Sequence, residues 1–272
     1  MALFVLGVAC KAPVEAPADL GDASVYAYAN YGSPSGDELQ AATDSIEAYL
    51  LSIDLNGAVN DRTVAPPKLL PENWGGVTGP ADADPLMQVP VAVAGRGLHP
   101  IADYIQLVGE PNYICVESDT TKYAARTFTT PLDCFLDGTC DQVSTTQETR
   151  KESTLAKVWY DYYKDYRVVE LRDGRQAMYS RGWSDRVWAT DGSAGTWDQS
   201  YQLDVWIEDA ADPSGTLRYQ VLWTSVTLAG LGDDLWGALV KNGIADSFES
   251  VDAFLDGESC SNDRDRPYDR PQ

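Results

Sequence analysis

The sequence predicts an α+β fold in which a run of antiparallel strands is followed by one long C-terminal helix. Two observations support this prediction. Strand-like segments with alternating or aromatic-rich character follow one another from residue 111 to residue 228, separated by turn signals such as Asp173-Gly174. Residues 232–255 then carry apolar side chains at helical spacing. Short connections favour antiparallel neighbours, and the apolar stripe of the helix needs a sheet to pack against.

The segment before the sheet contains one clear helix. Tyr26–Tyr28 is predicted to be extended and to lead into a turn at residues 31–34. Ser35 and Glu38 form a capping box, and apolar residues repeat at helical spacing up to Ile53. Residues 58–90 are rich in Pro, Gly and Asp, so we expect a long irregular connection that Trp74 anchors to the body.

The core begins with a predicted strand over Val89–Ala94. A short helix then begins near Pro100 and ends before Gly109. Asn242-Gly243 lies inside the C-terminal helix and should weaken or kink it, at a cost of about 1 kcal/mol relative to alanine. The predicted strands between these helices are Tyr113–Glu117, Lys122–Thr129, Thr154–Tyr163, Tyr166–Arg172, Gln176–Trp183, Tyr201–Glu208 and Leu217–Leu228.

The order of these elements over residues 89–255 resembles the START-like (SRPBCC or Bet v 1) fold, also called the helix-grip fold. The resemblance implies a curved sheet that wraps the long C-terminal helix and encloses an apolar cavity for lipids, sterols or aromatic small molecules. Gly243 would lie where that helix bends over the cavity. The chain departs from the family pattern in having one short helix after the first strand and an insertion around Cys134–Cys140.

The N-terminus carries a second resemblance. An apolar run, residues 2–9, ends directly before Cys10, and a Pro/Ala-rich segment comes after it. This arrangement resembles the lipobox of a bacterial lipoprotein, although Gly7 stands where leucine is usual and no basic residues precede the run. The resemblance implies lipid modification of Cys10 and anchoring in the bacterial cell envelope. The alternative is a buried N-terminal strand with a core cysteine.

These patterns divide the chain into four parts. Residues 1–9 are a truncated lipoprotein-type signal segment, and residues 10–25 are a tether. Residues 26–256 form a single α+β domain with a helical extension at 35–88 and the sheet-plus-helix core at 89–256. Residues 257–272 alternate Asp and Arg with prolines, so we expect them to be disordered.

The cysteines indicate an oxidising compartment. With Cys10 modified, Cys115, Cys134, Cys140 and Cys260 remain as an even set that can form two disulfides, with three possible connectivities. The turn signal Asp137-Gly138 favours pairing of Cys134 with Cys140, which leaves Cys115 for Cys260. We predict no metal site, because Cys134 and Cys140 are too far apart for a zinc knuckle and the chain has 1 histidine.

The charge of the chain and its lack of known motifs disfavour several classes of function. With 42 acidic and 20 basic residues, the formal charge is −22, which disfavours nucleic-acid binding because the phosphate backbone would be repelled. No phosphate-binding loop or other cofactor motif is present in the sequence. His99 has no nucleophile in a recognisable arrangement with it, so we predict no catalytic residues and disfavour an enzyme.

The aromatic residues suggest a binding site. They concentrate in the strands and the closing helix, either as ordinary core or around a ligand cavity. We therefore predict an exported, lipid-anchored envelope protein that binds a small apolar or amphipathic ligand. The alternatives are a structural or interaction lipoprotein without a ligand and a carboxylate-based hydrolase; the sequence identifies neither ligand nor protein partner. The predicted ligand-binding residues are Trp206, Tyr219, Trp223, Trp236 and Phe248.

Overall fold

The computed structural model of the chain describes residues 14–110, 114, 121–152, 157–191, 195–228 and 230–258. The helices are α1 (Leu20–Ala29), α2 (Asp37–Leu50), α3 (Ile101–Leu107), α4 (Asp133–Leu136) and α5 (Asp233–Leu255). The strands are β1 (Thr63–Val64), β2 (Val89–Gly97), β3 (Thr121–Phe128), β4 (Gln142–Glu152), β5 (Lys157–Glu170), β6 (Gln176–Trp183), β7 (Trp188–Ala189), β8 (Thr196–Glu208) and β9 (Thr216–Thr227).

The described strands form one antiparallel sheet in the order β1-β2-β9-β8-β6-β5-β4-β3, with β7 paired to β8. Neighbours in the chain from β3 to β6 are also neighbours in the sheet, as short connections require. The first long strand, β2, pairs with the last, β9, and α5 packs along β2. The predicted fold class, a curved antiparallel sheet with a long C-terminal helix packed on it, is confirmed.

Different parts of the chain cover the two faces of the sheet. Because side chains alternate along a strand, odd-numbered residues of β9 lie on one face and even-numbered residues on the other. The outer face, which carries Leu217 and Val221, packs against α1 and α2. The inner face, which carries Arg218 and Leu222, lies under α5. The sheet therefore has a helical layer on each side.

Helix α1 differs from the prediction that Tyr26–Tyr28 is extended. Residues 26–28 alone show a period-two pattern of tyrosines, whereas the longer segment Leu20–Ala29 has apolar residues at helical spacing. The side chain of Asp19 caps the helix by accepting a hydrogen bond of 3.1 Å from a backbone N–H of the first turn. The helix therefore begins within residues 10–25, which we predict to be a tether. The residues that α1 buries against the sheet and α2 include Leu20, Ala23 and Ala27.

The helix predicted from Ser35 onward is α2, with a different start. Its N-cap is Gly36 instead of Ser35, and Glu38 accepts a hydrogen bond from Ser33. Buried Arg167 of β5 fixes the turn before the helix, because its Nη1 donates to the backbone carbonyls of Tyr31 at 3.0 Å and of Ser33 at 2.6 Å. The sheet thus holds the α1–α2 connection directly.

The irregular connection after α2 is present as predicted, with three short 3-10 turns at Val59–Arg62, Pro71–Asn73 and Pro85–Met87. Trp74 stacks on Tyr201 of β8 with ring centroids 5.5 Å apart. The prediction that Trp74 anchors this segment to the body is therefore confirmed.

Two strand predictions need correction. The predicted strands Thr154–Tyr163 and Tyr166–Arg172 are one continuous strand, β5, since nothing interrupts its ladder with β4 between them. β4 itself is absent from the prediction, because all its buried positions except Val143 are polar and it shows no hydrophobic period. The predicted strand at residues 113–117 lies outside the described residues except for Ile114. The polar residues that β4 buries are Thr145, Gln147 and Thr149.

The predicted disulfide between Cys134 and Cys140 is formed, with an S–S distance of 2.10 Å. Helix α4 and the turn at Asp137-Gly138 bring the two sulfurs together. Cys10, Cys115 and Cys260 lie outside the described residues. No described helix has the length and apolar content needed to cross a bilayer.

Candidate functional site

A cavity of about 390 Å³ lies between the inner face of the sheet and α5. Strands β4, β5, β8 and β9 form its floor, and α5 forms its roof. Volumes of this size are typical of pockets that hold small molecules, and native cores contain few voids larger than one water. The lining includes Tyr160, Tyr162, Lys164, Trp197, Gln202, Asp204, Trp206, Trp236, Leu239, Gly243 and Phe248.

The C-terminal half of α5 is fixed to the sheet by a buried polar cluster. Arg218 of β9 donates from Nη1 to the backbone carbonyl of Phe248 at 3.0 Å and forms an ion pair of 3.4 Å with Asp252. Tyr104 of α3 donates its hydroxyl to the same carboxylate. Burial is the main cause of the raised pKa of Tyr104, so this hydroxyl stays a donor over the physiological range.

The position of the Phe248 ring against the sheet depends on a glycine in β2. A Cβ added at Gly95 of β2 would lie 2.7 Å from the Phe248 ring, closer than side chains pack. The absence of that Cβ lets α5 approach β2 at this point. Phe248 also lines the cavity, so the contact with β2 borders the open space.

One end of the cavity is polar. Lys164 of β5 and Asp204 of β8 are 3% and 4% exposed, and their side chains form an ion pair of 3.0 Å. The Asp204 carboxylate also accepts hydrogen bonds from Ser180 Oγ at 2.6 Å and from Gln202 Nε2 at 2.8 and 2.9 Å. These bonds offset the cost of removing the charges from water. We call Lys164, Asp204, Gln202 and Ser180 the polar floor.

Tyr162 extends the polar floor toward α5. Its hydroxyl donates to Gln202 Oε1 at 3.2 Å, and burial raises the pKa of the phenol well above its usual value. Gly182 of β6 makes room for this ring, because a Cβ at that position would lie 2.5 Å from it. The polar floor is thus held by contacts from three neighbouring strands.

The other end of the cavity is aromatic. Tyr160 stacks on Trp197 with centroids 5.6 Å apart, and Trp236 of α5 meets Trp197 edge-on at 5.5 Å. Trp236 Nε1 donates to Thr224 Oγ1 at 3.0 Å, which fixes the indole on the sheet. Leu239 lies one turn further along α5 and is 40% exposed. This end is suited to an apolar group.

Gly243 borders the cavity from the roof. A Cβ added there would have no neighbouring atom within 4 Å. Gly243 is predicted to lie where the helix bends over the cavity, and it does belong to the cavity lining. The helix continues through it without interruption, from Asp233 to Leu255.

Four of the five predicted ligand-binding residues are among those that line the cavity, namely Trp206, Tyr219, Trp236 and Phe248. Trp223 is not in the lining, and the side chains of both Tyr219 and Trp223 lie on the outer face, which corrects the prediction that all five side chains face the same space. Tyr219 forms a hydrogen bond of 2.8 Å with Ser24 of α1, and its strand contributes to the cavity wall from the other side. Trp223 donates from Nε1 to the carbonyl of Pro67 at 2.8 Å and is fully buried.

The physical reason is the register of β8 and β9. Directly paired residues share a face, and the pairs are Trp206 with Arg218 and Val205 with Tyr219. Aromatic content alone does not reveal which of two alternating sets faces α5. The polar floor was missed for a related reason. The sequence does contain charged and amide residues at alternate positions of β5 and β8, which could have indicated a polar site. It does not show, however, that these residues pair across the sheet.

The ionisable groups at and near the cavity have the following surroundings. Of the carboxylates near it, Asp204 is occupied by the contacts of the polar floor. His99 lies outside the cavity lining, between Asp103 and Asp256. Within the described ranges, no group of three His, Cys, Asp or Glu side chains could hold a metal ion.

No protein-family model and no curated protein matches the chain significantly. Among solved structures, the chain is similar to the STAR-related lipid transfer protein from Xanthomonas axonopodis, with 10% identity over 61% of this chain and 85% of that chain and a TM-score of 0.43. A START superfamily protein from Mycobacterium smegmatis has 12% identity, with coverage of 62% and 99% and a TM-score of 0.36.

A third similar structure is the Zhui aromatase/cyclase from Streptomyces, with 9% identity, coverage of 62% and 94%, and a TM-score of 0.39. At these identities and TM-scores, the similarities say nothing about the ligand. The fold class rests on the sheet and helix described above.

Proposed function

We propose that this chain binds a small amphipathic molecule between the inner face of its sheet and α5. The observation that carries the proposal is the unfilled space of about 390 Å³ beneath a helix whose C-terminal half is firmly attached. A purely structural contact between helix and sheet would gain dispersion energy by filling that space, since protein interiors pack as densely as organic crystals.

The lining supports an amphipathic ligand in one orientation. The polar group lies against the polar floor, where the Lys164 ammonium supplies a hydrogen-bond donor and the oxygens of Tyr162 and Gln202 supply acceptors. The apolar part lies along Trp197 and Trp236, at the end that includes Leu239. Each half of the ligand then finds a matching environment, because buried polar groups need partners and apolar surface gains by leaving water.

Apolar-probe binding tests the proposal. A fluorescent apolar probe should bind the folded chain with one-to-one stoichiometry and quench tryptophan emission, because three tryptophans line the cavity. Gly243→Phe places a ring in the open space and should abolish binding, while the thermal midpoint stays at or above that of the parent chain.

Glu249→Phe is the matched control, because Glu249 is exposed on the same helix and does not line the cavity. This variant should bind the probe as the parent chain does. Equal binding by both variants would show that the probe binds outside the cavity. Failure of the parent chain to bind the probe would contradict ligand binding and favour a purely structural role.

We further propose that the chain is exported and anchored through a lipid on Cys10. Residues 2–10 support this proposal by their lipobox-like pattern, and the Cys134–Cys140 disulfide supports it because such bonds persist mainly in oxidising compartments. Mass spectrometry of the native protein should find a diacyl or triacyl Cys10 at the mature N-terminus. Recovery of residues 1–9 still attached in the envelope would contradict the proposal.

A further inference from the structure

Exposed apolar side chains concentrate beside the aromatic end of the cavity. Six large apolar side chains are exposed in the described part of the chain, and four of them lie on two segments. Leu86 and Met87, each 62% exposed, belong to the 3-10 turn Pro85–Met87. Leu235 and Leu239, 50% and 40% exposed, lie one turn apart near the start of α5. Such clustering marks an interaction surface more than scattered exposure does.

The two segments face each other across a cleft of about 250 Å³. Its apolar lining includes Met87, Leu231 and Trp236. The last two residues also line the main cavity, so the cleft adjoins it. We call this cleft, together with the exposed residues Leu86, Asp234 and Leu235 that are next to its lining residues in the chain, the docking cleft.

The docking cleft is also acidic. Asp82, Asp84, Asp198 and Asp233 line it, and none of its described lining residues is Lys or Arg. Asp84 and Asp198 accept local hydrogen bonds that leave their charge unneutralised. The cation at the rim is Lys68, which donates to the carbonyl of Leu86. Exposed apolar side chains next to this surplus of carboxylates are complementary to a segment that is both apolar and positively charged.

We propose that the docking cleft binds a basic amphipathic helix of a partner protein. Apolar side chains of such a helix would enter the space beside Met87 and Trp236, and its flanking Lys or Arg residues would pair with the aspartates on both sides. An anionic membrane would meet the same leucines but would be repelled by the carboxylates, so a protein segment fits the charge better. Binding of a helix at this surface does not require a ligand in the cavity.

A labelled synthetic helix of lysine and leucine with amphipathic spacing is the probe. Its binding to the full chain is measured by fluorescence anisotropy at low and high salt. Leu235→Ser combined with Met87→Ser should weaken binding by about tenfold, because the change removes one exposed apolar contact from each of the two segments that flank the cleft. Leu239 stays unchanged in this variant because it also lines the cavity.

The matched control is Leu51→Ser combined with Leu98→Ser, which removes similar exposed apolar surface elsewhere and should change the affinity less than about twofold. Asp233→Asn with Asp234→Asn should lower the affinity and weaken its salt dependence. If both double-serine variants behave alike, the helix is attracted to the acidic chain at large and the proposal fails. The proposal also fails if anionic phosphatidylglycerol vesicles bind through Leu235 and Met87 and displace the helix.

Discussion

At the scale of single residues, the site depends on charges and hydroxyls that the sheet removes from water. The ion pair of Lys164 and Asp204 is nearly inaccessible, yet it borders a cavity instead of filling the space with apolar side chains. Burial of such a pair seldom adds net stability. Its retention is explained if it provides the polar end of a binding site.

Removal of one partner of this ion pair should substantially lower the stability of the folded chain. Lys164→Met leaves the Asp204 carboxylate buried and should lower the free energy of unfolding by about 3 kcal/mol, with Ser180 and Gln202 limiting the loss. The double variant Lys164→Met with Asp204→Leu should lose less than the two single changes added together. Urea titrations give these values.

The exposed pair of Arg172 and Asp44 is the control. Its N–O distance of 3.0 Å equals that of the buried pair, but both side chains are 55% exposed. Arg172→Met should therefore cost less than about 1 kcal/mol. Two results would contradict the conclusion that burial makes this ion pair important. One is that the losses of unfolding free energy from the two single changes at the buried pair are strictly additive in the double variant. The other is an equal loss at the buried and the exposed pair.

Buried phenols predict a loss of stability in alkali. Burial raises the pKa values of Tyr28, Tyr31 and Tyr162 well above the usual value of 10.0. Above that value the unfolded chain releases protons that the folded chain keeps, so stability falls as pH rises. Spectroscopic titration should show these tyrosines ionising together with unfolding. Ionisation of all tyrosines near pH 10 in a folded chain would contradict their burial.

At the scale of elements, α5 combines a fixed C-terminal half with a roof over open space. Phe248 and Asp252 attach it to β9 and α3, whereas Gly243 has no neighbour that a Cβ would meet. Glycine within a helix loses backbone entropy that alanine does not lose. The helix thus gives up local stability at the position where it borders the cavity.

Gly243→Ala should therefore stabilise the chain by up to about 1 kcal/mol, as measured by the free energy of unfolding in urea. Gly237→Ala serves as the comparison, because its new Cβ would touch Val89 Cγ1 at 3.4 Å and should bring a smaller gain. A destabilising effect of Gly243→Ala would mean that the space next to this residue is already filled.

Elements with a strong apolar period were predictable from the sequence. Strand β6 has the predicted bounds, Gln176–Trp183, and α5 begins one residue after its predicted start at Gly232. β4 was not predictable in this way, because Val143 is its one buried apolar residue and its other buried positions are polar. The helix α1 was missed because a short window of alternating tyrosines concealed its longer period.

At the scale of the whole molecule, the sheet is covered on both faces but packed tightly on one. The outer face is filled by α1 and α2, and it buries Tyr219 and Trp223. The inner face has the cavity, with Trp206, Trp236 and Phe248 in its lining. The sequence indicated that aromatic residues surround the sheet, but the division between a filled and an open face depends on long-range strand register.

The most direct measurement of the central claim is the position of a bound amphiphile in a crystal. A medium-chain alcohol with a bromine atom at the end of its chain is suited to this, because anomalous scattering locates the bromine. We expect the bromine between Trp197 and Trp236, with the hydroxyl within hydrogen-bonding distance of Lys164 or Gln202. Bromine found only outside the cavity, or a cavity filled by side chains, would contradict the proposal that this fold binds an amphipathic molecule.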